Sequence, residues 1–176
     1  MGAWASAFDA GRAEVRRRGL SIVVFRIGHA AARTVALQAY GSTLFDGRWH
    51  TLQPGPQPRR VIYATSSRAL AQLEKRVHAN GVAPVYQALF SLAVPASLKV
   101  AHARAGGLPP TWRDDLALSQ TFGNTWLDRG VHLALWVPSF VEPAEDNILI
   151  NPDHPRIREV TLAIEREPFE FDPRLG

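Results

Sequence analysis

Short apolar stretches that are rich in β-branched residues and bordered by proline or glycine recur along this sequence, and they restrict its fold more than any other feature. They occupy residues 20–27, 61–65, 85–94, 132–137 and 147–150, with a weaker pair at 160–164 and 169–171. Runs of this length and composition favour buried β-strands. Pro84, Pro95 and Pro138 stand at their borders, as expected because proline cannot donate to the ladder of a central strand. The chain is therefore predicted to be rich in strands.

Two segments between these strands have the pattern of a helix. The first can begin at Ser66 or Ser67, whose hydroxyl suits a helix N-terminus, and it ends near residues 80–81. Its predicted apolar stripe consists of Ala69, Leu70, Leu73 and Val77. The second helix is predicted over residues 119–129. Because strands outnumber helices and do not alternate with them, we expect an α+β fold, with a compact mixed sheet and flanking helices.

The length of the chain, 176 residues, suits one domain with a sizeable core, and 46% of the residues are hydrophobic. We divide it into a polar lead-in, residues 1–19, and one domain over residues 20–176. The sequence has no apolar run of about 18 residues and no apolar segment typical of a secretory signal. With no cysteine, it has neither a disulfide nor a thiolate ligand. We expect a cytoplasmic protein without membrane contact.

Positive charge is in excess, with a formal net charge of +4. Arginine supplies almost all of it, since Lys75 and Lys99 are the lysines of the chain. The planar fork of arginine matches phosphate and carboxylate groups, so anionic metabolites, acidic partners and nucleic acids are candidate ligands. No zinc-finger spacing, aromatic RNA-binding pattern or helix-turn-helix accompanies the charge. Direct nucleic-acid binding is therefore not expected.

Glu74 is the acidic residue whose position is least ordinary. About one helical turn separates it from Leu70, so its carboxylate is predicted at the border of the apolar stripe. A carboxylate there is costly unless a cleft or a partner receives it. The residues alone leave two interpretations open. Glu74 is either part of a site or a surface glutamate paired with Lys75, Arg76 or His78.

The segment DGRWH, residues 46–50, presents Arg48 directly after a glycine that permits a tight turn. An arginine in such a turn suits a diphosphate or a carboxylate. Trp49 either anchors the loop or stacks on a flat ligand, and His50 is the histidine nearest to Arg48 in sequence. Tyr63 lies in a short apolar strand, where a tyrosine ordinarily belongs to the core. Each of these residues is also compatible with a purely structural role.

Polar side chains are dense in residues 137–155, VPSFVEPAEDNILINPDHP. A predicted strand ends at Pro138 and delivers Ser139 where clefts commonly form, and Asn147 begins the next strand. This oxygen-rich stretch matches neither a calcium loop nor a zinc spacing. Ser139 lacks the flanking glycines of a serine hydrolase, and the chain has no P-loop or G-x-G-x-x-G motif. The sequence thus predicts neither a metal site nor a Rossmann-type nucleotide site.

Taken in order, these segments resemble the RES domain, a family named after its arginine, glutamate and serine. The resemblance rests on FRIG at residues 25–28, DGRWH at 46–50, VIYATSSRALAQLEKRVH at 61–78 and the segment at 137–155. It extends from Ser21 to Glu165, which is most of the chain. The departures from the family pattern are the lead-in and the proline-rich stretch at residues 52–60.

The resemblance implies a fold similar to that of ADP-ribosyltransferase toxins and an activity on NAD. It assigns the active site to Arg48, Tyr63, Glu74 and Ser139, and it matches Arg26 to a recurrent early arginine. It also implies a partner, a cognate antitoxin with an Xre-like helix-turn-helix region, and assembly into a homo-oligomer or a hetero-oligomer with that antitoxin.

The residue types fit this chemistry. Cleavage of the nicotinamide–ribose bond builds oxocarbenium character on the ribose, which a carboxylate such as Glu74 stabilises, and no metal is required. The expected NAD-binding residues are Arg48, Tyr63, Ser139, Arg26, Trp49 and Asn147. The acceptor stays open between water, phosphate, and a protein or metabolite that becomes ADP-ribosylated. A non-catalytic module that binds through its arginines is the remaining alternative, and four intact positions argue against it.

Overall fold

A single mixed sheet forms the centre of the molecule. The computed structural model describes residues 17–18, 21–53, 58–80, 84–104 and 107–175. Its strands are β1 (Arg17–Arg18), β2 (Ser21–His29), β3 (Ile62–Thr65), β4 (Gln87–Pro95), β5 (Val100–His102), β6 (Ala134–Pro138), β7 (Asp146–Ile150) and β8 (Thr161–Arg166). The order across the sheet is β5-β6-β7-β3-β2-β4-β8, and β1 pairs with the start of β2. The β5–β6 pair is parallel, whereas the other neighbours are antiparallel.

Two α-helices flank this sheet, α1 (Arg68–His78) and α2 (Leu116–Arg129). Ser67 caps α1 by accepting a hydrogen bond from the backbone N–H of Leu70, and Asp115 caps α2 in the same way. Gly130 ends α2 in the left-handed conformation, with φ of 58°. Short 3₁₀ segments lie at Ala36–Thr43, Pro110–Arg113, Ile157–Glu159 and Pro173–Leu175. The predicted α+β class is confirmed.

Both faces of the sheet are covered, because alternate residues of each strand point to opposite sides. One face carries an apolar cluster that includes Val24, Ile62, Leu92, Trp136, Ile148, Ile150 and Ala39 of the first 3₁₀ segment. On the other face, Leu135, Val137 and Leu149 pack with Phe122 and Trp126 of α2. Farther along that face, Phe25, Ile27 and Leu89 pack with Ala71 of α1. The two helices therefore cover different parts of the sheet.

The contact between β2 and β3 is unusually short. β2 pairs with β4 along its whole length, and β3 pairs with β7 along its whole length. In contrast, β2 and β3 share a single residue pair, Phe25 with Thr65. Beside that pair, the guanidinium of Arg26 donates to the carbonyl of Tyr63 at 2.7 Å, in place of a backbone N–H. The sheet thus has a gap between β2 and β3.

The predicted apolar stripe of α1 is wrong in part. Leu70 is fully buried and Ala71 is 3% exposed, but Leu73 is 46% and Val77 58% exposed. The helix turns the Leu70–Ala71 side to the sheet, because Ala71 packs against Phe25 and Ile27 of β2. Glu74 follows these two residues by four and three positions, so it lies on the sheet-facing side.

Two further differences concern the ends of the sheet. β5 was not expected, since three residues are too few for a periodic signal. Residues 169–171 form no strand, although Phe169 is buried and its N–H donates to the carbonyl of Gln87. Residues 1–16 and 19–20 of the predicted lead-in and residues 54–57 of the proline-rich stretch lie outside the described residues. The division at residue 20 stays a prediction.

Where the structure describes the chain, neither α-helix has the length and apolar character that crossing a bilayer demands.

Candidate functional site

A cavity of about 510 Å³ opens over the gap between β2 and β3. Its walls come from these two strands, from α1, from residues 41–50 and from residues 140–141. The volume lies in the range that binds small organic ligands. Among the residues predicted for the site, the cavity wall includes Arg26, Arg48, Trp49, Tyr63, Glu74 and Asn147. Ser139 lies behind the wall and is fully buried.

Glu74 is held on the cavity wall by two donors from the opposite side. Its Oε1 accepts a hydrogen bond from Ser139 Oγ at 2.9 Å and another from Asn147 Nδ2 at 2.6 Å. These donors stand at the end of β6 and the start of β7, two neighbouring strands. Oε2 receives no hydrogen bond from the described residues, and His78 Nδ1 is 4.0 Å from it. The carboxylate side chain is 17% exposed, so one oxygen is fixed and the other is free for a ligand.

The hydroxyl of Ser139 has no free capacity for a ligand. Its proton goes to Glu74, and its oxygen accepts from the backbone N–H groups of Val141 at 3.1 Å and Glu142 at 3.0 Å. One donor and two acceptor positions are all that a hydroxyl offers. The sequence favoured a direct contact between Ser139 and the ligand. In the structure the hydroxyl of Ser139 contacts Glu74 instead.

Arg48 stands on a turn that is closed by a hydrogen bond from Gly47 N to the carbonyl of His50 at 2.9 Å. Its guanidinium lies 3.9 Å from the centre of the Phe140 ring, and its Nη1 is buried without a hydrogen-bond partner. Burial lowers the pKa of Arg48 from its usual value, and the positive charge of Arg113 lowers it further. No described carboxylate forms an ion pair with Arg48, so its charge is available to an anionic ligand.

A hydrogen-bonded chain fixes Tyr63 behind this turn. His50 Nε2 is 2.9 Å from the carbonyl of Ser42, to which only a protonated nitrogen can donate. His50 Nδ1 is therefore the acceptor for the Tyr63 hydroxyl at 2.9 Å, and that hydroxyl accepts from Trp49 N at 3.3 Å. Burial lowers the pKa of His50 and raises the pKa of Tyr63, so both stay neutral. The ring of Tyr63 lines the cavity while its hydroxyl stabilises the turn.

Trp49 is 2% exposed, and its ring stacks on Trp112 with 5.3 Å between the centroids. Gly123 of α2 lies against the backbone of Trp49, where a Cβ atom would overlap the carbonyl oxygen. These contacts favour the first of the two interpretations of Trp49, an anchor of the loop. Gly123 is the reason that α2 and this loop can approach so closely.

Three residues of the cavity wall each have one buried polar atom that lacks a hydrogen-bond partner: Arg26 Nε, Arg48 Nη1 and Asn147 Oδ1. Most buried polar atoms in proteins are hydrogen-bonded, so such a group of atoms at one cavity calls for an explanation. Two N–H donors, one amide oxygen and the Glu74 carboxylate on residues of one cavity wall suit a ligand with anionic and amide or hydroxyl groups. Within the described residues, no group of three histidine, aspartate or glutamate side chains is arranged to hold a metal ion.

Sequence reasoning missed two residues of this site. Phe140 provides the ring beneath Arg48, and Lys75 lines the same cavity as Arg26. The signal for Phe140 was its position after Ser139, in the segment that resembles the RES domain. Lys75 carried no comparable signal, because a lysine on an amphipathic helix ordinarily faces solvent.

The fold is that of a one-domain α+β protein whose mixed sheet has a gap between β2 and β3. Its candidate site combines Glu74, which two hydrogen bonds hold in place, with cationic side chains. The RES domain model matches residues 23–172, so the chain belongs to the RES-domain family.

Three named relatives resemble the chain over most of their own length. The Prs ADP-ribosylating toxin of Sphingobium sp. (strain YBL2) is 36% identical over 79% of this chain and 86% of the relative. The protein named Toxin Res of Yersinia enterocolitica is 32% identical over 77% of this chain and 88% of the relative. Toxin Res of Pseudomonas putida (strain KT2440) is 34% identical over 79% of this chain and 92% of the relative.

Proposed function

We propose that this chain is a toxin that cleaves the nicotinamide–ribose bond of NAD. The proposal rests on the hydrogen bonding of the Glu74 carboxylate. Two donors fix its Oε1 atom, while its Oε2 atom is free at the cavity. Arg26 and Arg48 line the same cavity, and each has a buried N–H group without a partner. A dinucleotide offers a ribose for the carboxylate and a diphosphate for the arginines, which agrees with this arrangement. The toxin names of the relatives agree with it as well.

In the proposed reaction, the carbon–nitrogen bond between ribose and nicotinamide breaks, and its electron pair leaves with the nicotinamide nitrogen. The ribose carbon acquires positive character, which the Oε2 atom of Glu74 stabilises. Ser139 and Asn147 keep the carboxylate oriented through Oε1. Arg48 binds the diphosphate with its fork, and the ring of Tyr63 packs against the nicotinamide. The Oδ1 atom of Asn147 accepts a hydrogen bond from a ribose hydroxyl or the nicotinamide amide.

The acceptor completes the reaction at the same ribose carbon. Water or phosphate attacks the carbon and, after loss of a proton, gives ADP-ribose or its 1″-phosphate. The second candidate is transfer of ADP-ribose to a protein or metabolite, which the name of the Sphingobium relative favours. Both candidates break the same bond and use Glu74 in the same way.

We also propose a proteinaceous partner. The name Toxin Res, given to relatives from Yersinia and Pseudomonas, fits a pair in which a cognate antitoxin holds the toxin inactive. We expect that antitoxin to contain an Xre-like helix-turn-helix region, as the family resemblance implies. Co-expression of this chain with the product of a neighbouring reading frame, followed by co-purification, tests this part of the proposal.

The activity is tested by incubating the purified chain with NAD and identifying products by mass spectrometry. Free nicotinamide is expected, together with ADP-ribose, or with ADP-ribose-1″-phosphate when phosphate is present. A mass increase on an added protein instead would identify transfer. A Glu74→Gln variant preserves the volume and an oxygen acceptor but loses the charge, so it should form no nicotinamide. Turnover that is undiminished in Glu74→Gln, or absent from the wild type, would refute the proposal.

A further inference from the structure

Lys75 has no part in the reaction described above, yet it lines the same cavity. It follows Ala71 by one helical turn, and Ala71 packs against Phe25 and Ile27 of β2. The side chain of Lys75 therefore leaves α1 on the side of the gap in the sheet. It is half-buried, whereas Lys99 is exposed.

Arg26 approaches the same place from β2. One end of its guanidinium is bound to the carbonyl of Tyr63, and its Nε atom is buried without a partner. Burial lowers the pKa of Arg26 to about 10. Arg26 and Lys75 both line this cavity. Burial also lowers the pKa of Lys75, and the positive charge of Arg26 lowers it further.

Neither cation is neutralised within the part of the chain that the structure describes. Glu74 is adjacent to Lys75 in sequence, but its carboxylate is bound by Ser139 and Asn147 and forms no ion pair with the lysine. Two half-buried positive charges without a counter-ion are costly to the folded protein. An anion that occupied this place would offset that cost.

We propose that Arg26 and Lys75 form an oxyanion subsite that binds a phosphate group. Arginine supplies directed N–H donors and lysine a compact positive charge, a pair that suits a phosphate with several oxygens. The phosphate belongs either to the diphosphate of the dinucleotide or to free inorganic phosphate that serves as acceptor. This subsite rests on the proposed function for its place in the reaction, but its ability to bind an anion is measurable without turnover.

The two lysines of the chain make a direct measurement practicable. Reductive methylation with ¹³C-formaldehyde labels Lys75 and Lys99, keeps their positive charge, and gives each a separate NMR signal. Lys75→Met and Lys99→Met variants assign the signals, because each variant removes one of them. Inorganic phosphate and ADP are then titrated separately into the labelled full chain at constant ionic strength.

A saturable shift of the Lys75 signal, with no comparable shift of Lys99, is expected. A shift with ADP alone identifies the nucleotide diphosphate as the ligand, and a shift with phosphate alone identifies the free anion. Lys75→Met should weaken the binding of that same ligand, measured by calorimetry, by about tenfold or more, since a charge-assisted hydrogen bond is lost. Lys99→Met should leave it unchanged.

No shift with either anion, or equal shifts of both lysines, would overturn the subsite. That result is distinguishable from a failure of the proposed function, because cleavage of NAD by the unlabelled chain is measured separately. If NAD is cleaved but neither anion shifts the Lys75 signal, the proposed reaction is supported and the proposed subsite is refuted.

Discussion

Ser139 Oγ donates to Glu74 Oε1 at 2.9 Å, and this bond joins the end of β6 to the middle of α1. The two residues are 65 positions apart in the sequence. This bond uses the one proton of the Ser139 hydroxyl, and the hydroxyl oxygen accepts from the N–H groups of Val141 and Glu142. The serine of the family's name thus donates its hydroxyl proton to the family's glutamate in this chain.

Ser139→Ala is expected to lower kcat for NAD cleavage by about 10- to 100-fold with little change in KM, since a hydrogen bond to a charged group contributes about 1.5–3 kcal/mol. Steady-state kinetics check this, and thermal unfolding measures any loss of stability separately. Ser97→Ala, at an exposed position, is the control. A raised KM with an unchanged kcat would instead indicate a direct contact between Ser139 and the substrate.

Arg48→Lys keeps a positive charge but loses the planar fork that stacks on Phe140 and presents several N–H donors. We expect KM for NAD to rise by about tenfold, with a smaller effect on kcat, because the diphosphate lies away from the bond that breaks. Arg158→Lys, an exposed position outside the cavity wall, should leave both constants unchanged. Equal kinetics for wild type and Arg48→Lys would contradict the assigned role.

Gly47→Ala should disturb the turn that presents Arg48. A Cβ atom at position 47 would lie 2.5 Å from the Tyr63 hydroxyl and 2.7 Å from His50 Nδ1. The turn must move, at a cost of about 1–3 kcal/mol in the free energy of unfolding. Gly41→Ala is the matched control, because a Cβ there meets nothing within 4 Å. Urea unfolding of both variants checks the prediction, which fails if they are equally stable.

The stability of the protein should depend on His50 below neutral pH. Burial lowers the pKa of His50 in the folded chain, whereas the unfolded chain binds a proton near the ordinary pKa of about 6.5. The contribution of a neutral His50 to the free energy of unfolding is therefore complete above that pH. It is lost as the pH falls, by at most about 1.4 kcal/mol per pH unit.

A His50→Gln variant tests this pH dependence, since glutamine is neutral throughout. Between pH 7.5 and 5.5, the free energy of unfolding should fall more steeply in the wild type than in the variant. If the free energy of unfolding changes with pH in the same way in both proteins, His50 takes up its proton equally in the folded and unfolded chains.

The strands were largely predictable from the sequence because β-branched runs between prolines have few other structures open to them. β3 and β7 differ from the predicted strands by one residue, and Ser67 begins α1 as its hydroxyl indicated. The exposed side of α1 was not predictable. Leu73 and Val77 are as apolar as Leu70, and the position of the sheet decides which of them is buried.

Most residues of the candidate site could be named from the sequence, but their positions relative to one another could not. Glu74 was noted for its place at the border of an apolar stripe, and Arg48 for the glycine turn before it. The resemblance to the RES domain then joined them, with Asn147, into one site, and the cavity wall includes all three. The gap between β2 and β3 had no sequence signal, because it depends on pairing between distant segments. Lys75 was missed for the same reason, since its surroundings are created by that gap.

The connection between β6 and β7 has consequences for how RES-domain chains vary. Surface loops ordinarily tolerate insertions. This one is bound along its length: Ser139 donates its N–H to Glu145 O, and the Glu145 carboxylate accepts from Ser66 and Ser67 at the start of α1. An added residue would break the contact with the helix or displace the donor of Glu74. Differences in length among members of the family should therefore accumulate elsewhere, and this connection should keep a constant length.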